Sequence, residues 1–247
     1  MNLPSRKKDS LVRRLEDKNL HMRVYAVIPA YKEEGRIGAV VRTLLSHVDR
    51  VIVVDDYSGD GTAKEAAAAG AEVLIHALNR GQGAALRTGT EAALADGAEI
   101  VVHFDADGQH DPDAIPQLVG PIERGEADIV CGSRFLGVAA VGMPRSRQTL
   151  LWTAQKFSTA VVGMPRNFTD PQSGLRAMRA EAAREIDFLQ DRMAHCSEIL
   201  RLIARSEWRA IEVPVKVRYT KETLAKGQKA TDAVGIVWHL FLGSLQR

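Results

Sequence analysis

The chain has 247 residues, 45% of them apolar, which suits one large α/β domain or two small ones. Its 33 Lys and Arg against 31 Asp and Glu leave a net charge of +2, too weak a field to recruit nucleic acid. Two cysteines, Cys131 and Cys196, form neither a disulfide framework nor a zinc pattern and fit a reducing cytoplasm; there is no secretory signal, and no apolar run reaches the ~20 residues of a membrane span.

Residues 1–21 are polar and carry Arg6-Lys7-Lys8 and Arg13-Arg14, which predicts a flexible basic arm. A regular alternation follows. Val24–Pro29 reads as a strand and Ile37–His47 as an amphipathic helix. Val51–Val54 is a short buried strand running into Asp55-Asp56. Thr62–Ala69 is an alanine-rich helix stopped by Gly70. Ala71–Ile75 is a strand, Gly83–Ala95 a helix, and Ile100–Phe104 a β-branched strand. Asp111 can cap and Pro112 suits a first helical position before the helix Ile115–Glu123, and Asp128–Cys131 is the next strand. This spacing implies a mostly parallel sheet with helices on both faces and a ligand at the strands' carboxyl ends.

The second half is less regular. Arg147–Val162 and Ser197–Ala204 read as helices and Gly174–Met178 as a strand. Ile211–Val217 contains Pro214, which marks an edge or irregular strand. No linker divides residues 22–230, and residues 231–247 form a separate C-terminal helix. There Val234, Trp238, Phe241 and Leu245 make an apolar stripe. That helix either packs on its own domain or lies at the bilayer interface or on a small membrane protein.

Asp105 and Asp107 follow the strand that begins at Ile100. Residues i and i+2 of a strand share a side, so the two carboxylates converge. Without a cation between them one is pushed towards protonation, and a divalent metal with oxygen ligands relieves this. Gln109 adds a carbonyl oxygen and His110 a nitrogen. The plainer reading is a polar loop, but Asp111 already does the capping. Gly81-x-Gly83 opens a helix as a dinucleotide fingerprint does, yet Leu86 stands where the third glycine belongs, so it reads as a tight turn. His103 reads as core, and His195 and Cys196 as structural.

The motifs Val27-Ile-Pro-Ala-Tyr-Lys-Glu-Glu34, Val53-Val-Asp-Asp56, Asn79–Gly89, Phe104–His110, Gly132-Ser-Arg-Phe135, Asp170–Gly174 and Glu212-Val-Pro214 stand in one order. Together they resemble family 2 glycosyltransferases of the GT-A (Rossmann-like) fold, most of all the dolichol-phosphate or polyprenyl-phosphate mannosyltransferase-like enzymes. The resemblance makes residues 22–230 a GT-A catalytic domain. It implies transfer, with inversion, of mannose or glucose from GDP-mannose or UDP-glucose to a polyprenyl phosphate. It also implies nucleotide-sugar contacts from Pro29, Tyr31, Glu33, Val54, Asp56 and Ala106, and from Arg218 and Lys226. By resemblance Asp105, Asp107 and Gln109 hold Mg²⁺ or Mn²⁺, Arg134 meets the donor phosphates and Arg147 the acceptor phosphate. The implied location is cytoplasmic, peripheral at the inner face of the membrane. The chain departs from the family at Lys32, where asparagine is usual, at Tyr57, where glycine or a small polar residue is common, and in lacking a transmembrane tail.

An anionic acceptor phosphate needs cations rather than a strong base, whereas a hydroxyl acceptor needs a carboxylate within hydrogen-bond reach. Asp170 either orients an arginine or is that base. The alternatives are transfer to a hydroxyl in cell-wall or polysaccharide synthesis, and a relative that binds sugar nucleotides without chemistry.

Overall fold

The β-branched runs become the strands. A computed structural model describes residues 21–136, 168–170, 173–192 and 194–217. Within them seven strands form one sheet: β1 Val24–Ala30, β2 Arg50–Asp55, β3 Glu72–Ile75, β4 Ile100–His103, β5 Ile129–Ser133, β6 Arg176–Arg179 and β7 Ala210–Pro214. Their order is β3-β2-β1-β4-β6-β5-β7. Every neighbouring pair is parallel except the two made by β6, with β4 and with β5. The described α-helices are α1 Ile37–Leu44, α2 Thr62–Ala68, α3 Gln82–Ala95, α4 Ile115–Glu123, α5 Ala180–Glu185 and α6 His195–Arg205.

Both faces are covered, as expected of such a sheet. On β1, Val24, Ala26, Ile28 and Ala30 join one core cluster with Ile37 and Val41 of α1, Ala66 of α2, and Leu118 and Ile122 of α4. The intervening Tyr25 and Val27 join a second cluster with Leu86 and Ala93 of α3, Ala182 of α5, and Ile199 and Ile203 of α6. The period-2 alternation of each strand thus feeds two cores at once.

Several expectations shift. The strand from Ile100 ends at His103, so Asp105 and Asp107 lie in the following turn and strand alternation does not bring them together. α1 stops at Leu44, and residues 45–48 continue as turns whose N–H groups bond back to Val41, Thr43 and Leu44. α6 starts at His195, ahead of the expected Ser197. α5 was not foreseen; six residues are too few for helical periodicity to register. β7 is an edge strand ending at Pro214, as that proline required. Asp111 caps a short 3₁₀ turn over Pro112–Ala114 by accepting from Asp113 N–H. The helices expected over Arg147–Val162 and residues 231–247, and the arm up to residue 20, lie outside the described residues.

Candidate active site

The carboxyl ends of β1, β2 and β4 open onto a cavity of about 310 Å³. Pro29, Ala30, Tyr31 and Glu33 line it from β1 and the turn beyond, and Asp56 from the end of β2. Asp105, Ala106 and Asp107 follow β4. Gln82 and Ala85 reach it from α3, Gly174 from the approach to β6, and Cys196 from α6. Seven residues expected to meet donor or metal therefore share one cavity: Pro29, Tyr31, Glu33, Asp56, Asp105, Ala106 and Asp107.

The two carboxylates differ in their surroundings. Asp105 Oδ1 accepts from Gln82 Nε2 at 2.8 Å, and Asp105 Oδ2 lies 3.3 Å from His110 Nε2. Burial alone would raise the Asp105 pKa; the hydrogen bond and charge of His110, backed by His195 and Arg176, outweigh it and lower it. Asp107 is raised, first by burial and then by the Asp105 charge, while Gln109 N–H donates to its Oδ1 at 3.0 Å. This is the split expected of two carboxylates sharing a site with no cation between them.

Gly174 leaves room beside them: a Cβ there would lie 2.5 Å from Asp105 Oδ2. Oxygen donors in a half-open cavity suit Mg²⁺ or Mn²⁺. Among the described residues no cluster of three His, Cys, Asp or Glu forms a cage.

At the end of β2, Asp56 is a structural hub. It is 2% exposed and accepts from Arg80 N–H at 2.9 Å and Gly81 N–H at 2.6 Å, with His76 Nδ1 at 2.7 Å. Asp56 thereby ties the loop before α3 to the end of β2. Val54 keeps its side chain in the core. Lys32 and Tyr57 both adopt left-handed backbone, with φ of 58° and 64°. These are the two positions where the resemblance led to the expectation of asparagine, and of glycine or a small polar residue; asparagine and glycine both tolerate such backbone. The α3 N-terminus is no phosphate cradle, because Gly83 and Ala84 N–H donate to the Asp191 carbonyl at 2.8 and 3.2 Å. The tight-turn reading therefore holds.

Arg134 follows β5. Asp170 accepts from its Nε and Nη2, both at 2.6 Å, and from its backbone N–H at 3.0 Å. Glu212 of β7 in turn accepts from Thr169 N–H at 2.7 Å, Thr169 Oγ1 at 2.8 Å and Asp170 N–H at 3.0 Å. Asp170 thus orients an arginine, one of its two expected roles. Arg134 sits at the same strand ends but does not line the cavity, and Gln109 touches the site through its backbone. Arg147, Arg218 and Lys226 lie outside the described residues.

Sequence reasoning missed Gln82, Gly174 and Cys196 as cavity residues. Gln82 and Gly174 stand inside quoted motifs, whose order carried the signal without naming the contact. His195 and Cys196 match no ligand spacing. His103 is core as expected: it is fully buried, 2.8 Å from Thr90 Oγ1, and burial lowers its pKa.

Residues 25–187 match the sequence model of the family described as glycosyl transferase family 2. The chain is 32% identical to a UDP-N-acetylglucosamine–dolichyl-phosphate N-acetylglucosaminyltransferase of Methanococcus voltae, over 89% of this chain and 95% of that one. It is 36% identical to an undecaprenyl-phosphate mannosyltransferase of Micrococcus luteus, over 67% of this chain and 70% of the other. Among solved structures, glucosyl-3-phosphoglycerate synthase from Mycobacterium tuberculosis, in complex with Mn²⁺, UDP and phosphoglyceric acid, superposes with a TM-score of 0.65. It is 26% identical, covering 87% of this chain and 74% of the other.

Proposed function

The chain belongs to glycosyl transferase family 2, and from that premise we propose that it transfers a hexose, mannose or glucose, from GDP-mannose or UDP-glucose to a polyprenyl phosphate, inverting the anomeric carbon. The observation that carries the acceptor class is the engagement of Asp170. With both oxygens committed to Arg134 it is a poor general base, while it fixes a guanidinium for an anion. A phosphate acceptor is already ionised at pH 7 and needs no base. Relatives that act on dolichyl and undecaprenyl phosphates support the same reading.

Tyr31 offers a face to the base and Glu33 an acceptor for base N–H or ribose hydroxyls. Asp105 and Asp107 would hold Mg²⁺ or Mn²⁺, with Gln109 beside them. A divalent cation there supplies Lewis-acid neutralisation of the leaving diphosphate. Arg134, positioned by Asp170, is assigned to the donor phosphates as a positive charge, with Arg218 and Lys226 assigned to the same donor and Arg147 to the acceptor phosphate. The acceptor oxygen attacks the anomeric carbon from the face opposite the diphosphate, which inverts it. Such an acceptor is met at a bilayer surface, so the proposal includes peripheral attachment at the cytoplasmic face. No helix among the described residues is long and apolar enough to cross a membrane.

A second reading, transfer to a hydroxyl, draws on the likeness to glucosyl-3-phosphoglycerate synthase. The test is an assay with GDP-mannose, UDP-glucose and UDP-N-acetylglucosamine, a short polyprenyl phosphate and Mn²⁺, read by mass spectrometry of the lipid. The expected result is a lipid-linked monosaccharide that vanishes in excess EDTA. Full activity in EDTA sinks the metal site, and no lipid product from any donor sinks the acceptor.

A further inference from the structure

The proposed transfer gives no role to one reactive group of the cavity wall, Cys196. Cys196, in the first turn of α6, shares the cavity with Asp105, Gln82 and Gly174. Its Sγ lies 3.4 Å from His195 Nε2 and 3.5 Å from Arg176 Nη2. His195 Nδ1 lies 2.9 Å from the Arg192 carbonyl, an oxygen that can only accept, so Nδ1 carries the proton. That tautomer turns the Nε2 lone pair towards the thiol. Behind the sulfur, Arg176 is only 2% exposed, and its Nε and Nη1 have no hydrogen-bond partner among the described residues. A buried guanidinium is costly unless anionic charge lies near it; Asp105 supplies some, and a thiolate at Cys196, which faces Nη2 rather than the two unmet donors, supplies more.

We propose that Cys196 is a modification site: a thiolate held between His195 and Arg176, reached by soft electrophiles and peroxides through the cavity, whose modification blocks the donor. Burial alone would raise the thiol; the charge and hydrogen bond of His195, with Arg176 behind, outweigh it and bring Cys196 down to about 7. Asp105 is the nearby acid that opposes this. Cys131 is the internal contrast. It is equally buried and has no place in the cavity wall, and burial pushes it up to about 12.

The chemistry balances at the pair. The thiol proton passes to His195 Nε2. With iodoacetamide the sulfur forms an S–C bond, the C–I bond breaks and iodide leaves. With hydrogen peroxide the sulfur bonds one oxygen as the O–O bond breaks. The thiolate is oxidised to a sulfenic acid, the departing hydroxide takes the His195 proton, and water forms. Either product adds bulk inside a cavity of about 310 Å³.

The reactivity rests on this geometry alone; the block on the donor rests on the donor reading above. The experiment is a time course of iodoacetamide on the native full chain at neutral pH, with peptide mass spectrometry of both cysteines. A parallel arm contains UDP or GDP with Mn²⁺. Cys196 is expected to react roughly tenfold or more faster than Cys131, Cys196→Ser to take up no label at that rate, and nucleotide with Mn²⁺ to slow Cys196. Equal rates at the two cysteines, or a native protein that resists labelling at Cys196, overturn the thiolate. Selective labelling that nucleotide leaves unchanged overturns the block on the donor instead.

Discussion

Gly174→Ala tests the carboxylate site without removing a carboxylate. The added methyl carbon would stand 2.5 Å from Asp105 Oδ2 and 2.9 Å from Oδ1. Ordinary contact needs about 3.5 Å, so the carboxylate must retreat by roughly 1 Å. Asp105 sits at the cavity rim rather than in the core, so it can turn away, at the expense of its bonds to Gln82 and His110. The damage should therefore appear in catalysis more than in stability. A displacement of about 1 Å at a positioned group costs on the order of 100-fold in rate. The assay is steady-state transfer across a Mn²⁺ titration, with thermal melting alongside. The expected result is a kcat/KM lower by about 100-fold, a weaker response to Mn²⁺ and a nearly unchanged Tm. Wild-type kcat/KM in a folded Gly174→Ala variant would show that the position of Asp105 does not matter to the reaction.

Glu212→Gln should loosen the peptide that holds Arg134, since an amide NH₂ would face the N–H donors of Thr169 and Asp170; kcat/KM should fall by about tenfold, equivalent to ~1.4 kcal/mol, and an unchanged value would show that Arg134 needs no such support. Tyr57→Gly should relieve left-handed strain at a residue that is 58% exposed and raise stability by about 0.5–1 kcal/mol in urea unfolding; a loss would mean that the ring packs on something the strain argument ignores. Asp128 accepts from Arg209 N–H, Nε and Nη2; burial alone would raise it, but these bonds outweigh burial and lower it. Its stabilising effect is therefore present above the unfolded-state value of about 3.9 and is lost as pH falls through the lower folded value. Asp128→Asn should cost about 1–3 kcal/mol at pH 7 and flatten the acid limb of a Tm-against-pH curve; parallel curves for the two proteins would contradict this.

The first half of the fold was legible because strand and helix signals there are local. Val51–Val54 is β-branched and buried on both sides, and Gly70, at a φ of 103°, ends α2 where a glycine stop was expected. The cavity was legible as polar clusters at strand ends, since parallel strands bring such ends together whatever their separation in the chain. What sequence could not supply was the pairing of distant partners. Asp170 had two roles open until Arg134 was seen on it, and Gln82 reaches Asp105 across 23 positions. Asp56 was expected to face the nucleotide; its bonds to Arg80 and Gly81 reach into the Asn79–Gly89 motif, which did not name Asp56 as its partner. The departures at Lys32 and Tyr57 were visible as departures, but their backbone cause was not, because φ is not written in residue type when an unfavourable residue is tolerated. Cys196 matched no ligand spacing, and its neighbours His195 and Arg176 come together only when α6 lies over β6.

The most direct measurement of the central claim gives the enzyme equal amounts of a polyprenyl phosphate and the matching polyprenol, with the preferred nucleotide sugar and Mn²⁺, and follows both lipids by mass spectrometry. With Asp170 committed to Arg134 and no base required, sugar should accumulate on the phosphate and not on the alcohol. Glycosylated polyprenol at a comparable rate would contradict the account, because a hydroxyl acceptor demands a general base, which a carboxylate lining the cavity, in place of Asp170, would then have to supply.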